Sequence, residues 1–312
     1  CIRDRIYYFY TPALNIHAIE FWIFIIVALC IYGASTSYST LLSKKFKPEK
    51  VGYLGAAVAL IVAGVLVTDL FTSKIFHASR YASRIEVENV KFNNKTLHEV
   101  DFSKTPIIDR KSTVKLGDKV MGEIPEYVSQ FEVSDDYTQI SYKNSVYRVT
   151  PLEYASFFKY LTNSKNGIPA YITVNSTNGK AEIVKLKDLG LNGMKYVPSA
   201  ILNHNLNRKL QLSYPTSIFG SPSFEVDEKG HPWYVCTTYT YFGVSNKKKV
   251  TGAVLFDPIT GKSKKYDKDK VPKWVDRVYP EELIMTEIDE NGSLQDGFFN
   301  SVLGQKNVTV TS

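Results

Sequence analysis

Residues Val51–Phe71 form an apolar run interrupted only by Gly52, Gly55, Gly64, Thr68 and Asp69. At about 1.5 Å of rise per helical residue, such a run covers the roughly 30 Å hydrocarbon core of a bilayer. A second apolar run, residues 19–34, precedes it, and a mostly polar tail follows from Ser73. The first run is the less uniform of the two. Glu20 stands at its start, and Ser35, Thr36, Ser37, Ser39 and Thr40 fill the stretch after it. The economical reading is a transmembrane helical hairpin over residues 19–72, with spans at about 19–42 and 51–72.

Charge orients this hairpin. Ser43-Lys44-Lys45-Phe46-Lys47-Pro48-Glu49-Lys50 joins the runs and carries four lysines. Short lysine-rich loops favour the cytoplasmic side, so loop 43–50 is expected inside. The competing flanks, Arg3 and Arg5 before and Lys74, Arg80 and Arg84 after, are less dense. The expected localisation is a multi-pass cell-membrane protein whose bulk is extracytoplasmic. Gly55, Ala59 and Ala63 recur every four residues, a small-residue stripe suited to close helix packing in lipid. Asp69 stands near the outer end, where a carboxylate reaches the interface.

Cys1 at the start is compatible with a lipidated N-terminus, yet two membrane helices directly after it make a lipid superfluous. The chain is expected to be cut from a longer one. Residues 1–18 then form an extracytoplasmic stub, and 281–312 begin a further segment in which Asn307 to Thr311 reads as a strand. The other cysteines are Cys30 and Cys236, so the tail holds a single thiol and no internal disulfide. With 21 Tyr and 17 Phe, the chain has ample material for a packed core.

The tail reads as α+β. Thr150-Pro151-Leu152-Glu153 has the form of a helix start with a capping box, continuing through Phe157, Phe158 and Leu161. Gly167 releases the chain into a strand at 168–174. Thr177-Asn178-Gly179-Lys180 then makes a hairpin turn, with a return strand at 181–186. The order recurs: a helix from Pro198 with Leu202, Leu206 and Leu210, then strands at 224–226 and 231–242. A lysine-rich turn at 247–249 follows, then a strand at 250–256, a turn at Asp257-Pro258-Ile259-Thr260-Gly261 and a return strand at 262–266. Residues 100–149 supply further strands, with a hairpin at Lys143-Asn144. Two modules result, 75–190 and 195–280, each an antiparallel sheet packed on a helix.

The second module resembles PepSY-type modules, small extracytoplasmic units with a cystatin-like sheet. The resemblance rests on Pro232-Trp233-Tyr234-Val235 and on Gly252-Ala253-Val254-Leu255-Phe256 running into the Asp257 to Gly261 turn. The long turn bearing Lys247 to Lys249 departs from that pattern. The hairpin plus such units also resembles multi-pass membrane proteins of Gram-positive bacteria, in which phrases such as Pro272-Lys273-Trp274-Val275 occur. These resemblances imply an envelope location and a non-catalytic module, and they carry over no catalytic residues.

The residues themselves agree. His231 and Cys236 differ in strand parity and point to opposite faces, so no thiol–imidazole pair is expected. His204 reads as a surface or interface histidine. Asp289-Glu290-Asn291-Gly292-Ser293 opens like a calcium loop, but Asn300 stands where the closing glutamate belongs, so a plain turn is expected. Phosphate loops and zinc motifs are absent, and Asn-x-Ser/Thr sites such as Asn175 matter only in a glycosylating host. No cofactor, metal or nucleic acid is expected.

Charge is the remaining signal. Residues 247–277 hold ten Lys or Arg against four Asp, nearly the whole net charge of +7. Lys247, Lys248, Lys249, Lys262, Lys264 and Lys265 are the candidate contacts to an anionic surface. They serve equally to keep an edge strand from pairing with other chains. The expected function is a non-catalytic, membrane-anchored envelope protein that binds a partner protein or an anionic wall polymer. The alternatives are a regulator or inhibitor of an extracytoplasmic peptidase and an accessory part of a transporter.

Overall fold

The computed structural model describes residues 7–42, 48–88, 90, 91, 93, 101 and 105–311. Residues 43–47, which hold three of the four loop lysines, lie outside the described residues. The two apolar runs form helices α1 (Ile19–Leu42) and α2 (Pro48–Phe71). They lie side by side, with Leu54 Cδ1 3.4 Å from the point a Cβ on Gly33 would occupy. Each holds a stretch long and apolar enough to cross a membrane, Ile19–Tyr38 and Val51–Phe71, and no residue of either is buried. A core helix of a water-soluble domain would be covered along one face.

After α2 come α3 (Lys74–Ala82), kinked at His77, and α4 (Arg110–Gly122). Asp109 starts α4 by accepting from Ser112 N at 2.7 Å. The face α4 buries, Thr113, Gly117 and Met121, lies toward the first sheet. That sheet contains β1 (Phe131–Val133), β2 (Thr138–Tyr142), β3 (Ser145–Tyr154), β4 (Ala170–Asn175) and β5 (Ala181–Lys185). Helix α5 (Phe157–Asn163) connects β3 to β4. The second sheet follows α6 (Leu206–Ser213) and contains β6 (Ile218–Phe219), β7 (Ser223–Val226), β8 (Pro232–Phe242), β9 (Asn246–Phe256) and β10 (Ser263–Asp267). Helix α7 (Glu281–Leu294) ends the ordered core.

The two sheets share one wiring plan. In each, a long strand, β3 or β8, is flanked on one edge by two short strands that divide its length. Its other edge carries an antiparallel hairpin, β4–β5 or β9–β10. The hairpin turns match in atomic detail. Asn175 Oδ1 accepts from Thr177 N and Asn178 N, as Asp257 Oδ1 accepts from Ile259 N and Thr260 N. Gly179 at φ +73° and Gly261 at φ +71° each return their N–H to the carbonyl of that Asn or Asp. Only glycine adopts that backbone without cost. The α+β class expected from sequence is thus present, as curled antiparallel sheets.

The sheets do not have separate cores. One apolar cluster runs from Val149, Leu152 and Ile172 of the first to Phe224, Tyr234 and Phe256 of the second. Tyr171 donates to Gly230 O at 2.9 Å across the junction. The ends of the tail also differ from the expected module boundaries. Helix α3 packs on α7 through Tyr81, Ala82 and Leu294, so 281–294 belongs with residues 74–85 and not with a new segment.

Several local expectations are corrected. The helix start at Thr150 is instead the end of β3. Val149 and Leu152 are fully buried there, and Pro151 falls where β2 pairing has ended and β1 pairing begins, a place where a strand tolerates proline. The true cap is Ser156, whose Oγ accepts from Lys159 N. The helix expected from Pro198 begins at Asn205, after a 3₁₀ turn at Leu202–His204. Lys247 to Lys249 lie inside β9, and the turn is Gly243 to Ser245. The stretch 110–122, expected among strands, is helical. Asp289 to Ser293 is no turn but the last part of α7, because Asn291 Nδ2 donates to Ala82 O and Ile85 O and draws the helix onto α3. Asn307 to Thr311 pairs with no strand; it crosses α7, with Thr309 N donating to Gly292 O.

The duplicated turn gives a test. Burial opposes ionisation of Asp257, but the His231 imidazole and the Thr260 and Ile259 donors outweigh it and hold its carboxyl down at about 2. His231 Nε2 stands 3.4 Å from Oδ1, a close polar neighbour more than an aligned hydrogen bond. A depressed carboxyl stabilises the fold above its unfolded value, and that contribution disappears as pH falls through about 2. Asp257→Ala is expected to cost about 1–3 kcal/mol near neutral pH. The cost should shrink steadily below about pH 4, as read from urea midpoints of the full chain in detergent.

Candidate functional site

A cleft of about 640 Å³ lies where several parts of the fold meet. Helix α4 contributes Arg110, and the first sheet contributes Asp136, Tyr137 and Thr138 at its margin. The second contributes Ser223, Thr237, Tyr239, Lys247 and Lys248. Helix α3 brings Lys74 and Tyr81, and α7 brings Glu282, Thr286 and Glu290.

The floor is an ion cluster. Arg84 pairs with Glu287 and, at 3.1 Å, with Glu290, while Lys74 Nζ stands 3.0 Å from Glu290. The Arg84 and Glu290 side chains are 7% and 5% exposed, so each charge depends on its partner. Arg84 also donates to Lys248 O, which ties the cluster to β9.

The remaining cations have no carboxylate partner among the described residues. Arg277 and Arg110 are exposed; Arg110 Nη2 donates only to Asp135 O at 3.0 Å. Lys247 reaches Arg80 O, and Lys248 Nζ lies 3.9 Å from the Tyr239 ring centroid. Burial lowers both lysines below their ordinary values, and the Arg84 and Arg80 guanidiniums lower Lys247 further. A bound anion would relieve that repulsion.

Arg277 is positioned from below. Glu225, fully buried on β7, accepts from Asp276 N at 2.9 Å and Arg277 N at 3.0 Å. Asp276 Oδ2 accepts from Ser141 N at 2.6 Å, which fastens the same segment to the first sheet. Burial pushes the Glu225 carboxyl up to about 7 against those two hydrogen bonds.

Comparison of the chain with protein families, curated proteins and solved structures returns no match.

The structure divides the lysines singled out from sequence. Lys247 and Lys248 line the cleft, and Lys249 is exposed beside them on β9. Lys262, Lys264 and Lys265 belong to the far end of the sheet, on and beside β10, which is an edge strand. There Lys264 lies over Tyr266, and Lys265 donates to Ser217 Oγ at 2.9 Å. The six form no single patch. Only the folded chain brings Arg110 and Arg277 to one cleft and sets Glu225 beneath the backbone of Arg277, although the basic run 247–277 already contains Arg277. Gly55 and Ala63 lie exposed on α2 and Ala59 with them; α1 packs instead near Leu54.

Cys236 and His231 are not brought together. Cys236 is fully buried opposite Val254, its thiol pushed far up by burial, while His231 sits by Asp257 and Trp233. His204 is half-buried, its Nδ1 3.1 Å from Tyr160 Oη. Asn175 is buried and its amide oxygen occupied by the turn.

Glu225 carries a pH signature. Its folded value lies above its unfolded one, so the folded chain holds a proton that the unfolded chain has released. Stability therefore falls as pH rises from about 4.5 through about 7. Glu225→Gln should flatten this slope, measured as the difference in urea midpoint between about pH 5 and about pH 8. An unchanged slope would show that another group sets it.

Proposed function

We propose that this chain is a membrane-anchored envelope protein whose paired α+β modules bind an anionic wall polymer in the cleft between the sheets, without catalysing a reaction on it. The observation that carries the reading is the set of cations, Arg110, Lys247, Lys248 and Arg277, that have no carboxylate partner among the described residues and surround one cleft near the ends of the apolar helices. Helices α1 and α2 serve as the membrane hairpin, with the lysine loop inside and the modules outside.

A repeating phosphate polymer fits this arrangement. Its charges match several separated cations, while the cleft offers few apolar groups for a buried hydrophobic ligand. The basic edge strand β10 takes a different part, blocking strand addition by other chains.

The test uses the full chain in nanodiscs of neutral lipid, titrated with a glycerol-phosphate oligomer. Lys248→Glu and Arg277→Glu should each weaken binding roughly tenfold, the order expected for reversing a charge at contact distance. Lys264→Glu should leave binding unchanged. Equal losses in all three variants would reduce the effect to net charge, and no loss in the first two would remove the cleft from consideration.

A further inference from the structure

The modules expose a second apolar surface away from the cleft. On α5, Phe157, Phe158 and Leu161 are 54%, 74% and 54% exposed. This seven-residue helix fully buries none of its residues; only Tyr160 packs on the core, and the two phenylalanines and Leu161 face away from it.

Direct contacts lead from α1 to this helix. Tyr7 and Tyr10 lie against Phe24 of α1, with ring centroids 6.0 and 6.4 Å apart. Tyr8 Oη donates to Asn203 Oδ1 at 2.5 Å, and Arg208 Nε donates to Tyr8 O at 2.9 Å. Leu14 N donates to Pro215 O, so α6 lies along residues 8–14. From the same surface, Tyr160 of α5 donates to Ile201 O at 3.2 Å and meets His204. Phe9, Ile16 and Leu202 are exposed along this path. The apolar surface of α5 is thus continuous with the flank of α1.

Charge along the path is one-sided. Segments 7–19, 154–181 and 189–224, which build this surface, contain no Asp or Glu at all, while Lys159, Lys165, Arg208 and Lys209 lie within them. An apolar and aromatic surface that carries these cations suits the headgroup layer of an anionic membrane.

We infer that the modules lie against the membrane that α1 and α2 cross, with Phe157, Phe158 and Leu161 of α5 inserted at its interface as a second contact. The occupant of the α5 surface is the bilayer, and the inference rests on the reading of α1 and α2 as spans. This contact fixes the tilt of the modules and so sets the direction in which the cleft opens.

The full chain, with Cys1 and Cys30 replaced by Ala, is placed in liposomes containing anionic lipid. Beside the fully buried Cys236, one cysteine at a time is introduced as Phe158→Cys, Leu161→Cys, Lys264→Cys or Leu60→Cys and labelled with a fluorophore quenched by a lipid-borne spin label. Positions 158 and 161 should be quenched by a shallow lipid label, and position 264 should not. Alkylation by an impermeant maleimide at 158 should be roughly tenfold slower than at 264, the order of the partition factor for an aromatic side chain. Position 60, on α2, tests the underlying reading: no quenching there means α2 is not a span. Quenching at 60 but not at 158 overturns the second contact alone. Protection at 158 that grows with protein density and ignores the lipid label assigns the surface to a second copy of the chain and also overturns it.

Discussion

The structure depends on one carboxylate. Asp69 accepts from Val244 N at 3.0 Å, Ser245 N at 3.2 Å and Ser245 Oγ at 2.7 Å, all at the tip of the β8–β9 hairpin. An acid near the C-terminal end of a helix opposes the helix dipole, and an acid in an apolar run opposes desolvation. Three donors on one turn offset both. Asn246 Nδ2 adds bonds to Asp69 O and Thr72 Oγ1. Gly243, at φ +85°, brings the backbone so near that a Cβ there would stand 2.3 Å from Thr72 Oγ1. His17, just before α1, donates from Nδ1 to Gly243 O at 2.6 Å, so both apolar helices converge on this turn.

This junction explains how the cleft is built. Once the hairpin tip is held on α2, β9 carries Lys247 and Lys248 to the level of α3. The chain leaving α2 then delivers Lys74 and Arg84 to the opposite wall, where α7 neutralises them with Glu287 and Glu290. Glu225 and Asp276 secure the third side by tying the segment after β10 to both sheets. Each wall is thus fixed by a buried or shared carboxylate, and the cations that face the opening are those left over.

Much of this was legible in the chain. The apolar runs, the turns at Gly179 and Gly261, the strands around Phe224 and Val235, and the burial of Cys236 follow from periodicity and turn chemistry. The failures have physical causes. Thr150-Pro151-Leu152-Glu153 satisfies the local pattern of a helix start, but burial of Val149 and Leu152 between neighbouring strands decides the outcome. Asn291 and Gly292 look like turn residues until α3 supplies carbonyls for the asparagine and a crossing backbone for the glycine. The lysine-rich stretch 247–277 looks like one patch because sequence gives proximity along the chain, whereas Lys247 to Lys249 sit at one end of β9 and β10 pairs with its other end. Asp69 looks locally like a charge seeking water; its partners lie far along the chain, where no local pattern reveals them.

The central claim is that Asp69 holds the second sheet in a fixed pose on α2. The most direct measurement is the distance distribution between spin labels at Leu66, exposed on α2, and Lys264, exposed on β10, in the full chain in lipid nanodiscs. The account predicts one narrow distance that broadens or shifts in Asp69→Ala. Identical distributions with and without the carboxylate would contradict it.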